Sequence, residues 1–239
     1  MAHLFSCDVD TCRRFMVQPM NEYGIAWNAS RQRVSDLIAE TPLLKLEQVA
    51  PLTPEWRVRD IVAHLVGVAQ DVSSGNFPQD FDAWTSAQVE RLRTADAHEL
   101  IRQWHEFPLG EMLSEPLAIA LFDQVTHEAD IYHALGTPVH LDPITLALLS
   151  KFTLNRFGAL ENDLHVTLHL DGQEFVTGTG GHNVTLSATA FEWFRASSGR
   201  RSVRQIQVMK WRSDVDVIEI LFKSGFFTPS KLDVVEIAR

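Results

Sequence analysis

Asp123, His127 and Asp130 follow one another at spacings of four and three within Leu121–Gly136, LFDQVTHEADIYHALG. In a helix that spacing puts all three on one face, within about 60° of one another. A carboxylate and an imidazole one turn apart can fill two positions in the shell of a divalent metal. A third ligand must come from elsewhere, and His64, in EWRVRDIVAHLVG about sixty residues upstream, is the candidate. His64 falls beside the apolar stripe Ile61, Leu65, Val68 and Val72, so it points towards a core rather than into water. If the two stretches are neighbours, His64, Asp123 and His127 converge. Three protein ligands then leave a position open for water or substrate, as in catalytic rather than structural metal sites.

Ordinary readings stand beside this one. A histidine on an apolar face is also a common core residue satisfied by a hydrogen bond. Carboxylates among apolar neighbours such as Ile119 and Ala134 are costly to bury unless paired or metal-bound. The Asp130 face is therefore either exposed or paired, for instance with Arg57 or Arg59. His98, His105, His165 and His169 lack partners at ligand spacing and read as surface. His133 is six residues past His127 and points away from it; His182 sits in a glycine loop. Gly178-Thr179-Gly180-Gly181 is not followed by the Lys-Ser/Thr of a phosphate loop and reads as a turn. No Ser or Cys sits in a nucleophile elbow or triad motif.

The elements that must position these residues are largely helical. Tyr23–Thr41 is expected to be a helix with Ile25, Val34, Leu37 and Ile38 inward, ended by Pro42. Thr53–Gly75 is expected to be a second, opened by Thr53, Pro54 and Glu55, with Gly67 allowing a neighbour to approach closely. Phe81–Phe107 reads as two helical pieces with a break at Thr94-Ala95-Asp96 and a capping box from Asp96 and Glu99. Pro116–Leu135 is the fourth helix, apolar on several sides and stopped by Gly136-Thr137-Pro138. The pattern then changes. Pro143–Phe157 is a helix, Leu164–Leu170 and Glu174–Thr179 are strands around an Asp171-Gly172 hairpin, and Asn183–Ala188 is another strand. Thr189–Arg195, Val203–Val208 and Val215–Leu221 read as short helices.

The expected fold class is α+β. A four-helix bundle over residues 21–140 is followed by a smaller α+β domain over 141–239, and residues 1–20 form a leader or disordered arm. Cys7 and Cys12 both lie in that arm; as free thiols they fit a reducing, cytoplasmic compartment. No apolar run reaches the ~18 residues of a membrane span. A net charge of −10 argues against nucleic acid as partner. The short basic clusters, Arg13-Arg14 and Arg200-Arg201 with Arg204, read as solvated surface.

Trp56-Arg57-Val58-Arg59-Asp60-Ile61-Val62-Ala63-His64-Leu65 resembles the W-x-V-R-D-hydrophobic-x-x-H-L signature of the mycothiol-dependent maleylpyruvate isomerase N-terminal domain, one of the DinB-like four-helix-bundle metalloproteins. Phe122-Asp123, His127, Asp130 and Ala134-Leu135-Gly136 are similar to the family's second signature, and Phe227, Pro229, Asp233 and Glu236 to the close of its C-terminal domain. The resemblance runs over roughly residues 22–239. It implies a divalent metal, zinc first and nickel second, on His64, Asp123 and His127, with Asp130 structural or supporting the ligands. Asp123 stands where the isomerase has glutamate, one methylene longer. The resemblance also implies an arginine of the C-terminal domain that no motif here identifies. The function it implies is that of an isomerase or S-transferase using mycothiol as thiol cosubstrate on a small electrophilic metabolite, as a monomer or homodimer. A metal-dependent hydrolase and a non-catalytic metal- or ligand-binding protein of the same fold are the alternatives.

Overall fold

The computed structural model describes residues 20–77, 80–160, 163–223 and 227–236. The leader expected over residues 1–20, with both cysteines, lies outside the described residues except for Met20. The first half is helical. Helix α1 (Glu22–Glu40) starts at Asn21, whose side chain accepts from the Gly24 N–H at 3.0 Å. Its buried face is Tyr23, Ala26, Trp27, Ser30, Val34 and Ile38. Ile25, expected inward, is 59% exposed, because Trp27 and Tyr23 set the helix rotation by burying far more surface. A short helix α2 (Leu43–Leu46) follows.

The second long helix differs from expectation at its start. Residues expected as its first turn form strand β2 (Thr53–Arg57), paired antiparallel with β1 (Val49–Ala50). Helix α3 (Val58–Ser73) begins only at Val58. The physical reason lies at Arg57 and Asp60. Asp60 Oδ2 accepts from the Arg57 backbone N–H at 3.0 Å and from its guanidinium at 2.8 Å, placing an acid on the helix N-terminus. That start outcompetes Thr53-Pro54-Glu55, and it frees Trp56 to project from a strand.

The third region is two helices, α4 (Phe81–Arg91) and α5 (Ala97–Trp104), broken where expected. Asp96 accepts from the Glu99 N–H at 2.9 Å, whereas the Glu99 carboxylate binds Arg102 and Gln103, so only half of the capping box forms. After α6 (Leu109–Met112) and a 3-10 turn (Glu115–Leu117) comes α7 (Ala118–Ala134), ended by Gly136 at φ 66°. Helices α1, α3, α5 and α7 pack as the bundle, with α4 alongside α3.

The second half begins with α8 (Pro143–Leu160). It covers one face of a four-stranded sheet ordered β4-β3-β5-β6: β3 (Leu164–Leu170), β4 (Gln173–Thr177), β5 (His182–Ala188) and β6 (Lys210–Ser213). Asp171 and Gly172, both at positive φ, make the β3–β4 turn. Strand β5 pairs parallel to β3, and β6 closes the other edge antiparallel. The sheet buries Leu164, Val166, Leu168, Leu170, Val184 and Leu186. Helices α9 (Ala190–Ser197), α10 (Val203–Gln207) and α11 (Val217–Phe222) complete it. The chain is thus mixed helix and sheet, helical first and sheet-containing second. Phe122 of α7 meets Phe152 of α8, Phe194 of α9 and Phe227 at ring-centroid distances of 5.5–5.6 Å, continuing one core through both halves. Among the described residues, no helix is long and apolar enough to cross a membrane.

Candidate metal centre

Helices α3 and α7 are neighbours, and their facing turns bring His64, Asp123 and His127 together. One ligand atom from each lies within 4.8 Å of the other two. His64 Nε2 is 3.1 Å from Asp123 Oδ2, and His127 Nε2 is 3.6 Å from Asp123 Oδ1. Ligand atoms at ordinary zinc distances of about 2.0–2.1 Å in a tetrahedron stand roughly 3.3–3.4 Å apart. The two separations to Asp123 are close to that, and the whole set lies within 4.8 Å, so it can close on such an ion. The shorter aspartate side chain therefore still reaches both imidazoles.

His64 offers Nε2 because its Nδ1 is hydrogen-bonded on the other side, while His127 Nδ1 is buried facing Asp130 without a well-aligned hydrogen bond. His64, only 2% exposed, has Nδ1 2.8 Å from Gln88 Oε1. The Gln88 amide is itself oriented: its Nε2 donates to Asp71 Oδ2 at 2.8 Å, and Arg91 donates to Asp71 Oδ1 at 3.2 Å. A carboxylate accepts, so it fixes the amide nitrogen towards Asp71 and the amide oxygen towards His64. His64 Nδ1 must then donate, which leaves the Nε2 lone pair for a metal. Gly67 makes this contact feasible, since a Cβ there would stand 2.5 Å from Gln88 Cβ. The close neighbour that Gly67 admits is therefore Gln88.

His127 Nδ1 lies 3.2 Å from Asp130 Oδ2. Asp130 is fully buried and carries two arginines from the second half of the chain. Arg195 on α9 donates to Oδ1 at 2.8 Å, and Arg200 donates to Oδ2 at 2.8 Å. Arg195 also contacts the Thr126 carbonyl and Glu236, and Glu236 accepts from Arg201. Two expectations are corrected here. Asp130 pairs with neither Arg57 nor Arg59: Arg57 holds Asp60 and Glu47, while Arg59 donates to the carbonyls of Leu92 and Ala95. Arg200 and Arg201 are not solvated surface but largely buried in this network. The short basic cluster reads as surface in the sequence because Asp130 and Glu236 lie 70 and 35 residues away along the chain from Arg200 and Arg201.

The charges follow from these contacts. Burial raises the Asp123 carboxyl, but His64, then His127 and Arg200, outweigh it and hold it below the usual value. Burial lowers both imidazoles. For His64 the Asp123 charge and the hydrogen bonds to Asp123 and Gln88 more than compensate, and its net direction is up. For His127 burial prevails over Asp130 and Asp123, and its net direction is down. Asp130 would be raised by burial, yet Arg200 and Arg195 hold it well below the ordinary range.

Trp56 covers one side of the centre, its ring centroid 5.1 Å from that of His64 and 5.8 Å from that of His127. The other side opens. The Asp123 side chain is 32% exposed, and with His64 it lines a cavity of about 690 Å³ walled by α3, α4, α7 and Phe227.

Residues 27–107 match the mycothiol maleylpyruvate isomerase N-terminal domain. The resemblance read from the Trp56–Leu65 signature is thereby shown over that stretch, which includes His64 and Gln88 and ends before Asp123. Two solved structures are also similar. The crystal structure of the mycothiol-dependent maleylpyruvate isomerase has 13% identity and a TM-score of 0.49, covering 77% of this chain and 90% of that one. A mutant of that enzyme has 12% identity with the same TM-score and coverage. No curated protein matches the chain.

Five of the described histidines have their contacts elsewhere. His98 and His105 contact the Ile38 carbonyl and Ser35, His165 contacts the Gly178 carbonyl, and His169 faces Glu174. His182 lies between Asp163 and Asp214. Sequence reasoning missed Gln88, Asp71, Arg195 and Arg200. The signal for Arg195 was present: a cation on the helix AFEWFRAS, whose Trp193 and Phe194 are buried, needs a buried acid somewhere.

Proposed function

We propose that this chain is a metal-dependent enzyme that uses a low-molecular-weight thiol, mycothiol, to isomerise or conjugate a small electrophilic metabolite. The observation that carries it is the convergence of His64, Asp123 and His127 on one point, with His64 Nδ1 hydrogen-bonded to Gln88, His127 Nδ1 facing Asp130, and a cavity in front. His64 Nε2, His127 Nε2 and an Asp123 oxygen would hold the ion, zinc by preference for two imidazoles and a carboxylate. A divalent metal there supplies Lewis acidity, lowering the pKa of a thiol or water in its open position.

The chain's own residues do the rest. Gln88 and Asp130 hold the two imidazoles in orientation, Trp56 shields them from water, and the cavity brings the electrophile against the thiol sulfur. Thiolate sulfur adds to the far carbon of a double bond conjugated to a carbonyl, and the π electrons of that double bond pass to the carbonyl oxygen. Rotation about the new single bond and return of those electrons expel the thiolate and complete an isomerisation. Protonation of the enolate by the proton the thiol lost instead retains the adduct as a transfer. The shielded centre and the matched domain support this reading together.

Zinc-loaded protein mixed with mycothiol and an α,β-unsaturated ketone should consume thiol above the uncatalysed rate, and His127→Ala should abolish the excess. Thiol-independent cleavage of an ester or amide, with no thiol consumption, would assign the centre to hydrolysis instead.

A further inference from the structure

The cavity beside the candidate centre has a composition that selects a substrate class. Aromatic side chains come at it from three directions: Phe77, Phe81 and Trp84 on and before α4, Phe122 on α7, and Phe227 from the second half. Phe77 and Phe81 are 56% and 46% exposed, so apolar surface remains at the wall for a ligand to cover. The charged lining is all of one sign. Asp80 and Asp82 stand at the start of α4 and Asp123 at the inner end, and among the described lining residues there is no lysine or arginine. Cations nearby are committed elsewhere: Arg91 to Asp71 and Gln70, and Arg200 to Asp130 and the Ser198 carbonyl.

We propose that this cavity takes an aryl substrate that carries no carboxylate, with its ring among Phe77, Phe81 and Trp84 and its reactive end towards His64 and Asp123. The proposal rests on reading that end as the reacting end of the site. Maleylpyruvate, in the name of the matched domain, is a dicarboxylate. A dianion here would leave water for a wall whose described residues offer no guanidinium or ammonium, would face Asp80 and Asp82, and could set at most one of its two carboxylates against a single ion at the inner end. An uncharged ring or an arylalkylamine meets neither penalty, and an ammonium gains from the two aspartates.

The test uses three probes of one shape and different charge: naphthylmethanol, naphthylmethylamine and naphthoate. Each is titrated by calorimetry into the full chain, zinc-loaded and again after chelation. After chelation the alcohol and the amine should each bind at least about tenfold more tightly than naphthoate, and zinc, which attracts a carboxylate, should narrow that gap. Asp82→Lys, a change at an exposed position, should narrow that gap severalfold. Naphthoate binding as tightly as the alcohol after chelation overturns the proposal, as does a gap in that state that Asp82→Lys leaves unchanged. The readout involves no thiol and no turnover. Absence of thiol chemistry would therefore remove the catalytic reading and leave the charge preference standing, while loss of the charge preference would leave the catalytic reading untouched.

Discussion

Gln88 decides what His64 can do. With Asp71 facing its amide nitrogen, its oxygen faces the imidazole, and the Nε2 that remains on His64 is aimed at Asp123 and His127, donating to Asp123 when protonated and giving its lone pair to an ion that displaces that proton. Replacing Gln88 by Leu removes the acceptor and lets the ring turn or change tautomer. Metal affinity should fall about 10–100-fold, the usual consequence of losing the partner behind a ligating histidine. Competition with a chromophoric chelator measures it, and an unchanged affinity would show that Gln88 is only packing. Asp123 carries the larger expectation. Asp123→Ala removes a ligand outright and should lower affinity further than Gln88→Leu; an affinity unchanged from wild type in Asp123→Ala would mean that Asp123 does not bind the ion.

At the scale of elements, α3 and α7 depend on supports from outside the pair. Gly67→Ala would drive a methyl into Gln88 and push α4 from α3, costing about 1–3 kcal/mol of stability in an overpacked contact. Chemical denaturation reads that loss, and the chelator competition above should register a weaker ion as well. Asp130 ties α7 to Arg195 and Arg200. Removing one partner of such a buried network costs roughly 3–5 kcal/mol, which is the loss expected for Asp130→Asn. The pH dependence has a definite sign. The Asp130 carboxyl is held well below its ordinary value of 3.8 in the folded chain, so its contribution is complete above that pH and is lost on acidification below it. Denaturation midpoints of the wild type should therefore fall below about pH 4, and Asp130→Asn should flatten this acid limb. A limb of the same slope in the variant would assign the acid sensitivity to other groups.

The whole molecule shows which of these features were legible in the sequence. Helical periodicity located every long helix, and spacing placed Asp123, His127 and His64 on faces that do meet, because local rules govern both. The β1–β2 hairpin escaped, since Thr53-Pro54-Glu55 satisfies a helix start as well as a strand, and only Arg57 with Asp60 decides between them. Strand β6 escaped because Lys210–Ser213 has no alternation strong enough to announce an edge strand. Asp130, Arg195 and Arg200 are separated by about seventy residues, and no local pattern joins an acid to cations at that range. The two halves meet through that network and through the Phe122 ring cluster, so the second half holds His127 in place although it contributes none of the three ligand atoms. The central claim is that His64, Asp123 and His127 bind a divalent ion, and metal analysis of protein purified without chelator tests it most directly. The account predicts close to one zinc or nickel per chain, lost in His64→Ala; wild-type protein that is metal-free and takes up neither ion would contradict it.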